Sequence, residues 1–189
     1  MSNGNNSAAE ITGNEIFFNR FPRSGSKDMV APGIGVREKA RPVIYNNLLY
    51  RNGAGIGVLN MDSNAEPLKI SGNKIFENYM GGINIRGGDG PTIDNRVSVE
   101  FNEIFRNMAV GIRSIKLSEV VIRFNEIYEN RKAGISLWDV KKAKVEHNEI
   151  HGNFTSGIRL LDVPDVYVRK NHIYGNITTG IDFINWKLN

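Results

Sequence analysis

A chain of 189 residues with 40% hydrophobic and 23% charged residues can bury a sizeable core as one domain, and 20 glycines against 6 prolines make it turn-rich rather than disordered. The absence of cysteine excludes disulfides, thiolate metal sites and a cysteine nucleophile. A formal charge of +4, without a basic stripe interleaved with aromatics, permits an acidic partner and argues against nucleic acid.

The opening MSNGNNSAAE is polar and does not read as a secretory leader. Residues 1–10 are expected to be a flexible lead-in, and 11–189 a single domain that could be a segment of a longer protein. No apolar run reaches the ~18–20 residues that span a bilayer, so no membrane span is expected. From residue 11 onward one pattern recurs seven times: Asn, an aliphatic residue two positions on, then an aromatic, a second Asn five residues after the first, and a Gly-Ile pair. The first Asn falls at Asn14, Asn47, Asn73, Asn102, Asn125, Asn148 and Asn171, with successive spacings of 33, 26, 29, 23, 23 and 23. The first copy carries its extra residues as RFPRSGSKDMVAP (20–32), before Gly33-Ile34. The second and third carry theirs after that pair, in NMDSNAEP (60–67) and GGDGPTIDNR (87–96).

Each copy predicts three short strands. Alternating stretches such as Val97 and Val99, or Val120 and Ile122, precede the first Asn. A second strand surrounds the following Ile, and a third follows the Gly. A 23-residue unit leaves no room for a helix, and strands this short must pair with the same strand of the next copy. The copies therefore stack as rungs ~4.8 Å apart. The Asn side chains are expected to bond from rung to rung and to tolerate unusual backbone angles, and the Gly to supply a turn conformation. Asn153 and Asn176 match a glycosylation acceptor, but both belong to the repeat and read as structural.

These Asn-x-Ile and Gly-Ile units resemble the parallel β-helix repeats of carbohydrate-binding and sugar-hydrolysing proteins, the pectate-lyase-like superfamily. The resemblance spans residues 11–186 and implies an all-β fold: a single-stranded right-handed parallel β-helix of about seven coils. It also implies a secreted, periplasmic or cell-surface location, although no signal peptide is present, and a saccharide bound on the outer face of the third strand.

With register fixed, equal offsets form columns. Glu100, Arg123, Glu146 and Arg169 make an alternating ladder of exposed ion pairs. Phe17, Tyr50, Phe76, Phe105, Tyr128, His151 and Tyr174 make a stack of rings. The three histidines share no column, which speaks against a histidine metal centre. On the third strand, Gly35, Gly57, Asn84, Arg113, Ser136, Arg159 and Asp182 form one outward column, and Arg37, Leu59, Arg86, Ile115, Trp138 and Leu161 the next. The insertions flank this strip, so a cleft is expected over Gly35, Arg37, Gly57, Asn84, Arg86 and Arg113. Its arginines would fork onto carboxylate or sulfate groups.

The candidate partner is an acidic polysaccharide or oligosaccharide held by Arg37, Asn84, Arg86, Arg113, Trp138 and Arg159. The resemblance to lyases and epimerases implies proton abstraction beside a uronate, with Arg37, Arg86 and Arg113 neutralising the carboxylate and an arginine or Lys116 as base. Asp139 and Asp162, one rung apart, are the alternative pair for glycoside hydrolysis, and Asp62, Asp89 and Asp94 are candidates for calcium. The rival reading is a non-catalytic scaffold or protein-binding module. Its open strand edges would invite end-to-end self-association or flanking domains.

Overall fold

The computed structural model describes residues 9–19, 31–62, 66–89 and 94–184. Three strands, β1 (Glu10–Thr12), β2 (Glu15–Phe17) and β3 (Pro32–Arg37), form the first coil. The second holds β4 (Val43–Tyr45), β5 (Leu48–Tyr50) and β6 (Ala54–Met61), and the third β7 (Leu68–Ser71), β8 (Lys74–Phe76) and β9 (Gly81–Gly87). The fourth and fifth coils follow with β10 (Arg96–Glu100), β11 (Glu103–Phe105), β12 (Val110–Arg123), β13 (Glu126–Tyr128) and β14 (Ile135–Glu146). The last strands are β15 (Glu149–His151), β16 (Ile158–Leu161), β17 (Asp165–Arg169), β18 (His172–Tyr174) and β19 (Ile181–Ile184). No helix occurs among the described residues, and none is therefore long and apolar enough to cross a membrane.

Strands pair in parallel with their counterparts on neighbouring coils. The second strands make a seven-stranded sheet in the order β18-β15-β13-β11-β8-β5-β2. The other two faces join into one twelve-stranded sheet because β12 and β14 run unbroken through the corner from third strand to next first strand. Three separate strands per coil were expected. Here the corner is turned inside the strand by a single left-handed residue, Lys116 (φ 56°) or Asp139 (φ 52°), with pairing resumed at once on the far side.

Alternation decides what lies inside. Ile104, Ile127 and Ile150 are in register and fully buried, a single interior row that continues through Ile75 and Leu49. Ile34, Ile56, Ile83, Ile112, Ile135 and Ile158 form the equivalent row under the third strand. Each buried aliphatic side chain contributes about 1.5–3 kcal/mol, so these rows carry the fold.

The asparagines form two ladders. Asn102 Nδ2 donates to Asn125 Oδ1 at 3.0 Å, and the Asn102 backbone N–H shares that acceptor at 2.9 Å. The second hydrogen of Nδ2 goes to backbone carbonyls, Glu100 O at 2.9 Å and Ile70 O at 3.1 Å, so a buried amide is fully satisfied. The acceptor site at Asn153 is one of these buried amides, bonded to Asn176 at 2.9 Å.

Two expectations about the repeat are corrected. The unusual backbone angle belongs to the residue before each ladder Asn: Phe18, Arg51, Glu77, Arg106 and Glu129 in one column, Asn46, Phe101, Phe124, His147 and Lys170 in the other, with Gly13, Gly72, Gly152 and Gly175 completing the set. Each non-glycine there costs on the order of 1 kcal/mol, which the ladder bonds offset. The Gly of Gly-Ile, by contrast, adopts no left-handed angle. It permits close approach: a Cβ on Gly111 would meet Gly134 O at 2.6 Å and Ile127 Cγ2 at 2.8 Å.

The outer columns follow the sequence. Rings from Phe17 to Tyr174 stack with centroids 4.8–5.1 Å apart. Arg123 pairs with Glu100 at 3.0 Å and Arg169 with Glu146 at 2.6 Å. A second, shorter stack of Phe101, Phe124 and His147 was not anticipated.

Candidate functional site

The outer faces of β3, β6, β9 and the first half of β12 lie side by side in register. Gly35, Gly57, Asn84 and Arg113 form one outward column, and the neighbouring column presents Arg37, Leu59, Arg86 and Ile115. Between them lies a groove of about 350 Å³, near the lower end of the ~300–1,000 Å³ typical of small-ligand sites. Two glycines set its depth. Pro32, at the start of β3, stands against them as a wall: a Cβ on Gly57 would lie 3.1 Å from Pro32 Cβ, and one on Gly35 3.4 Å from Pro32 Cγ.

The charge pattern of the groove differs from that of the rest of the molecule. Arg51, Arg86, Arg96, Arg106, Arg123, Arg159 and Arg169 all pair with carboxylates. Arg41 donates to the carbonyls of Glu38, Ala40 and Asp62. Arg37 and Arg113, both exposed in the groove, have no carboxylate partner among the described residues, a state shared outside the groove by Arg131. Two unneutralised guanidinium groups thus face a concave surface at which backbone can be approached closely.

One rim is built by the third-strand corner of the third and fourth coils. Asp89 accepts hydrogen bonds from Lys116 Nζ and, at 3.4 Å, from Arg86. The bond and charge of Lys116, followed by Arg86, hold the Asp89 carboxyl below the usual carboxylate range. Buried Asn95 fixes this corner. Its Nδ2 donates to Met61 O at 3.1 Å and Lys116 O at 3.3 Å, and its Oδ1 accepts the Ser118 N–H at 2.7 Å. Gly87 packs so tightly here that a Cβ would fall 1.9 Å from Lys116 O.

Arg37, Asn84, Arg86 and Arg113 are therefore gathered in one groove, with Lys116 on its rim. Trp138 and Arg159 lie farther along the same face. Trp138 is half exposed beside Ile115 and Leu161, and Arg159 pairs with Asp182 at 3.5 Å. Asp139 and Asp162 occupy left-handed corners, not the open sheet face, and line a separate cavity of about 550 Å³ with Lys141 and Phe183. Asp62, Asp89 and Asp94 are not assembled into a metal site: no group of three or more potential ligands exists among the described residues, and Asp94 pairs with Arg96 at 3.6 Å. His151 sits in the ring stack, His147 lies on Phe124, and His172 leans on Tyr174. Of the insertions expected to wall the cleft, residues 20–30, 63–65 and 90–93 lie outside the described residues, as do residues 1–8, Asn185 and Trp186.

Three residues that shape the site escaped the sequence reading. Pro32 and Asn95 lie inside insertions and neither residue type repeats on the other coils (Ala54 stands next to Pro32 in register), so no periodicity flags them. Gly87 resembles any other glycine of a turn-rich insertion.

No curated protein and no solved structure matches the chain. One family does: the model described as a right handed beta helix region matches residues 1–97 and 57–189, and the two matches together cover every residue. With the stacked parallel coils, this places the chain in the right-handed β-helix family.

Proposed function

We propose that this β-helix domain binds an acidic oligosaccharide or polysaccharide in the groove over Gly35, Gly57, Asn84 and Arg113. The observation that carries the reading is the pair of unneutralised arginines, Arg37 and Arg113, in a protein whose other arginines are mostly paired. A guanidinium presents a rigid fork of donors matched to a carboxylate or sulfate. Asn84 adds a neutral donor and acceptor for hydroxyl groups, and the exposed Leu59 and Trp138, with the half-buried Ile115, offer apolar surface for sugar rings along the same face.

Binding is favoured over cleavage. Among the described residues the groove is lined by Pro, Gly, Val, Ala, Leu, Ile, Asn and Arg, with no carboxylate, histidine or lysine inside it. A proton-abstracting base would have to come from the rim, where Lys116 is engaged by Asp89. The carboxylate pair Asp139 and Asp162 lies in the other cavity, away from the arginines.

The test is a glycan array spanning uronate-containing, sulfated and neutral saccharides, run on the wild type and on Arg37→Ala and Arg113→Ala. Retention of acidic glycans by the wild type and their loss in both variants is the expected result. Incubation with uronate oligosaccharides, followed by the ultraviolet absorbance of unsaturated product, is expected to stay flat. No acidic hit, or a hit indifferent to both substitutions, would leave the scaffold reading in its place.

A further inference from the structure

A second surface, on a different corner, is built by the turn between the second and third strands. The residue after each second Asn stacks by backbone hydrogen bonds from coil to coil: Tyr79 to Asn52, Met108 to Asn78, Arg131 to Asn107, Phe154 to Asn130 and Ile177 to Asn153. Four of these five side chains are large, apolar and about half exposed or more: Tyr79 47%, Met108 44%, Phe154 51% and Ile177 66%. Gly53 holds the same place in the second coil. Beside this stripe runs the left-handed column of Arg51, Glu77, Arg106, Glu129, Gly152 and Gly175. An apolar line extended over several rungs marks an interaction surface.

The order of residues along both columns identifies its occupant. We infer that this corner is an isologous interface with a second copy of the chain, packed antiparallel about a two-fold axis between the fourth and fifth coils. That axis places Tyr79 opposite Phe154, Met108 opposite Arg131 and Gly53 opposite Ile177. In the neighbouring column it places Arg106 opposite Glu129 of the second copy, and the long Glu77 and Arg51 opposite Gly152 and Gly175. Large faces small, ring faces ring, and each charge facing a charge meets the opposite sign. Arg106 and Glu129 already pair within the chain at 2.6 Å, so the axis joins two such pairs into a four-membered network. A parallel arrangement centred on this column would set Arg51, Glu77 and Arg106 each against its own kind. Six rungs at ~4.8 Å give a contact strip about 24 Å long, and a two-fold contact closes on itself rather than growing.

Sedimentation velocity over a concentration series is expected to show a monomer–dimer equilibrium, weakened about tenfold or more by Phe154→Glu. Because the chain has no cysteine, geometry can be read by crosslinking. Met108→Cys mixed with Arg131→Cys, with oxidised glutathione as electron acceptor, should form a disulfide-linked dimer in much higher yield than either variant alone. A monomer at every concentration overturns the inference. So does equal self-crosslinking of the single variants, or open-ended polymer in place of a dimer. None of these readouts depends on a glycan, so the groove and the corner stand or fall separately.

Discussion

The first three coils and the four that follow are built from one pattern and differ in what surrounds it. From Asn102 to Asn171 the period is 23 residues without exception, β12 and β14 run through their corners unbroken, and outward charges alternate and pair. From Asn14 to Asn102 the spacings are 33, 26 and 29 residues, β6 is interrupted by a bulge, and the outward column carries glycines where later coils carry arginine and serine. The interior rows and Asn ladders pass through both halves unchanged. The core thus tolerates irregularity provided that it stays outside, and the groove lies where the exterior is least regular.

The largest expected effect is at the join between the two halves. Gly87→Ala would drive a Cβ into Lys116 O and Asn95 and should cost about 3 kcal/mol in urea unfolding. If it proves silent, the irregular corner is loosely held. Next comes the ladder. Asn107→Ala removes a fully buried amide bonded to Ile75 O and Asn130 and strands the Asn78 donors, for about 3 kcal/mol. Asn19→Ala, at the exposed first rung, should cost under about 1 kcal/mol. Equal losses would mean that the ladder does not distinguish centre from end. Arg113→Ala should weaken acidic-glycan binding by about 2 kcal/mol, roughly thirtyfold, without moving the thermal midpoint, whereas Arg123→Ala in the paired half should leave binding unchanged. An effect of opposite sign is expected at Ser114, whose buried hydroxyl has no partner in a row otherwise filled by Val58, Ile85, Leu137 and Leu160. Ser114→Val should raise stability by about 1 kcal/mol and leave binding intact.

Much of this was legible because a solenoid converts spacing into position. Seven matched Asn pairs set the register, and register alone brought Arg37, Asn84, Arg86 and Arg113 together and lined up seven rings. The misreadings have a common cause. A glycine in a sequence says only that a side chain is absent, so the close approach at Gly111 and a left-handed turn look alike. Most of the left-handed sites before the ladder asparagines are held by Phe, Arg, Glu and Lys, which carry no signature of that backbone angle. The second stack was available in principle, since Phe101, Phe124 and His147 each precede a first Asn. Only the context of the insertions was beyond reach: Asn95 bonds to Met61 and Lys116, 34 and 21 residues away, and repeats at no offset.

The unbroken 23-residue period has a consequence for engineering. Excising residues 125–147 would bring Phe124 directly before Asn148, where His147 now stands, and return every later side chain to its own column. The protein would be one storey shorter, about 4.8 Å, with its winding undisturbed. Removing a few residues more or fewer would rotate everything downstream and turn the interior outward. Along its axis the molecule is lengthened or shortened in whole storeys, and any other length is taken up as a loop outside the coil, as in the first three coils.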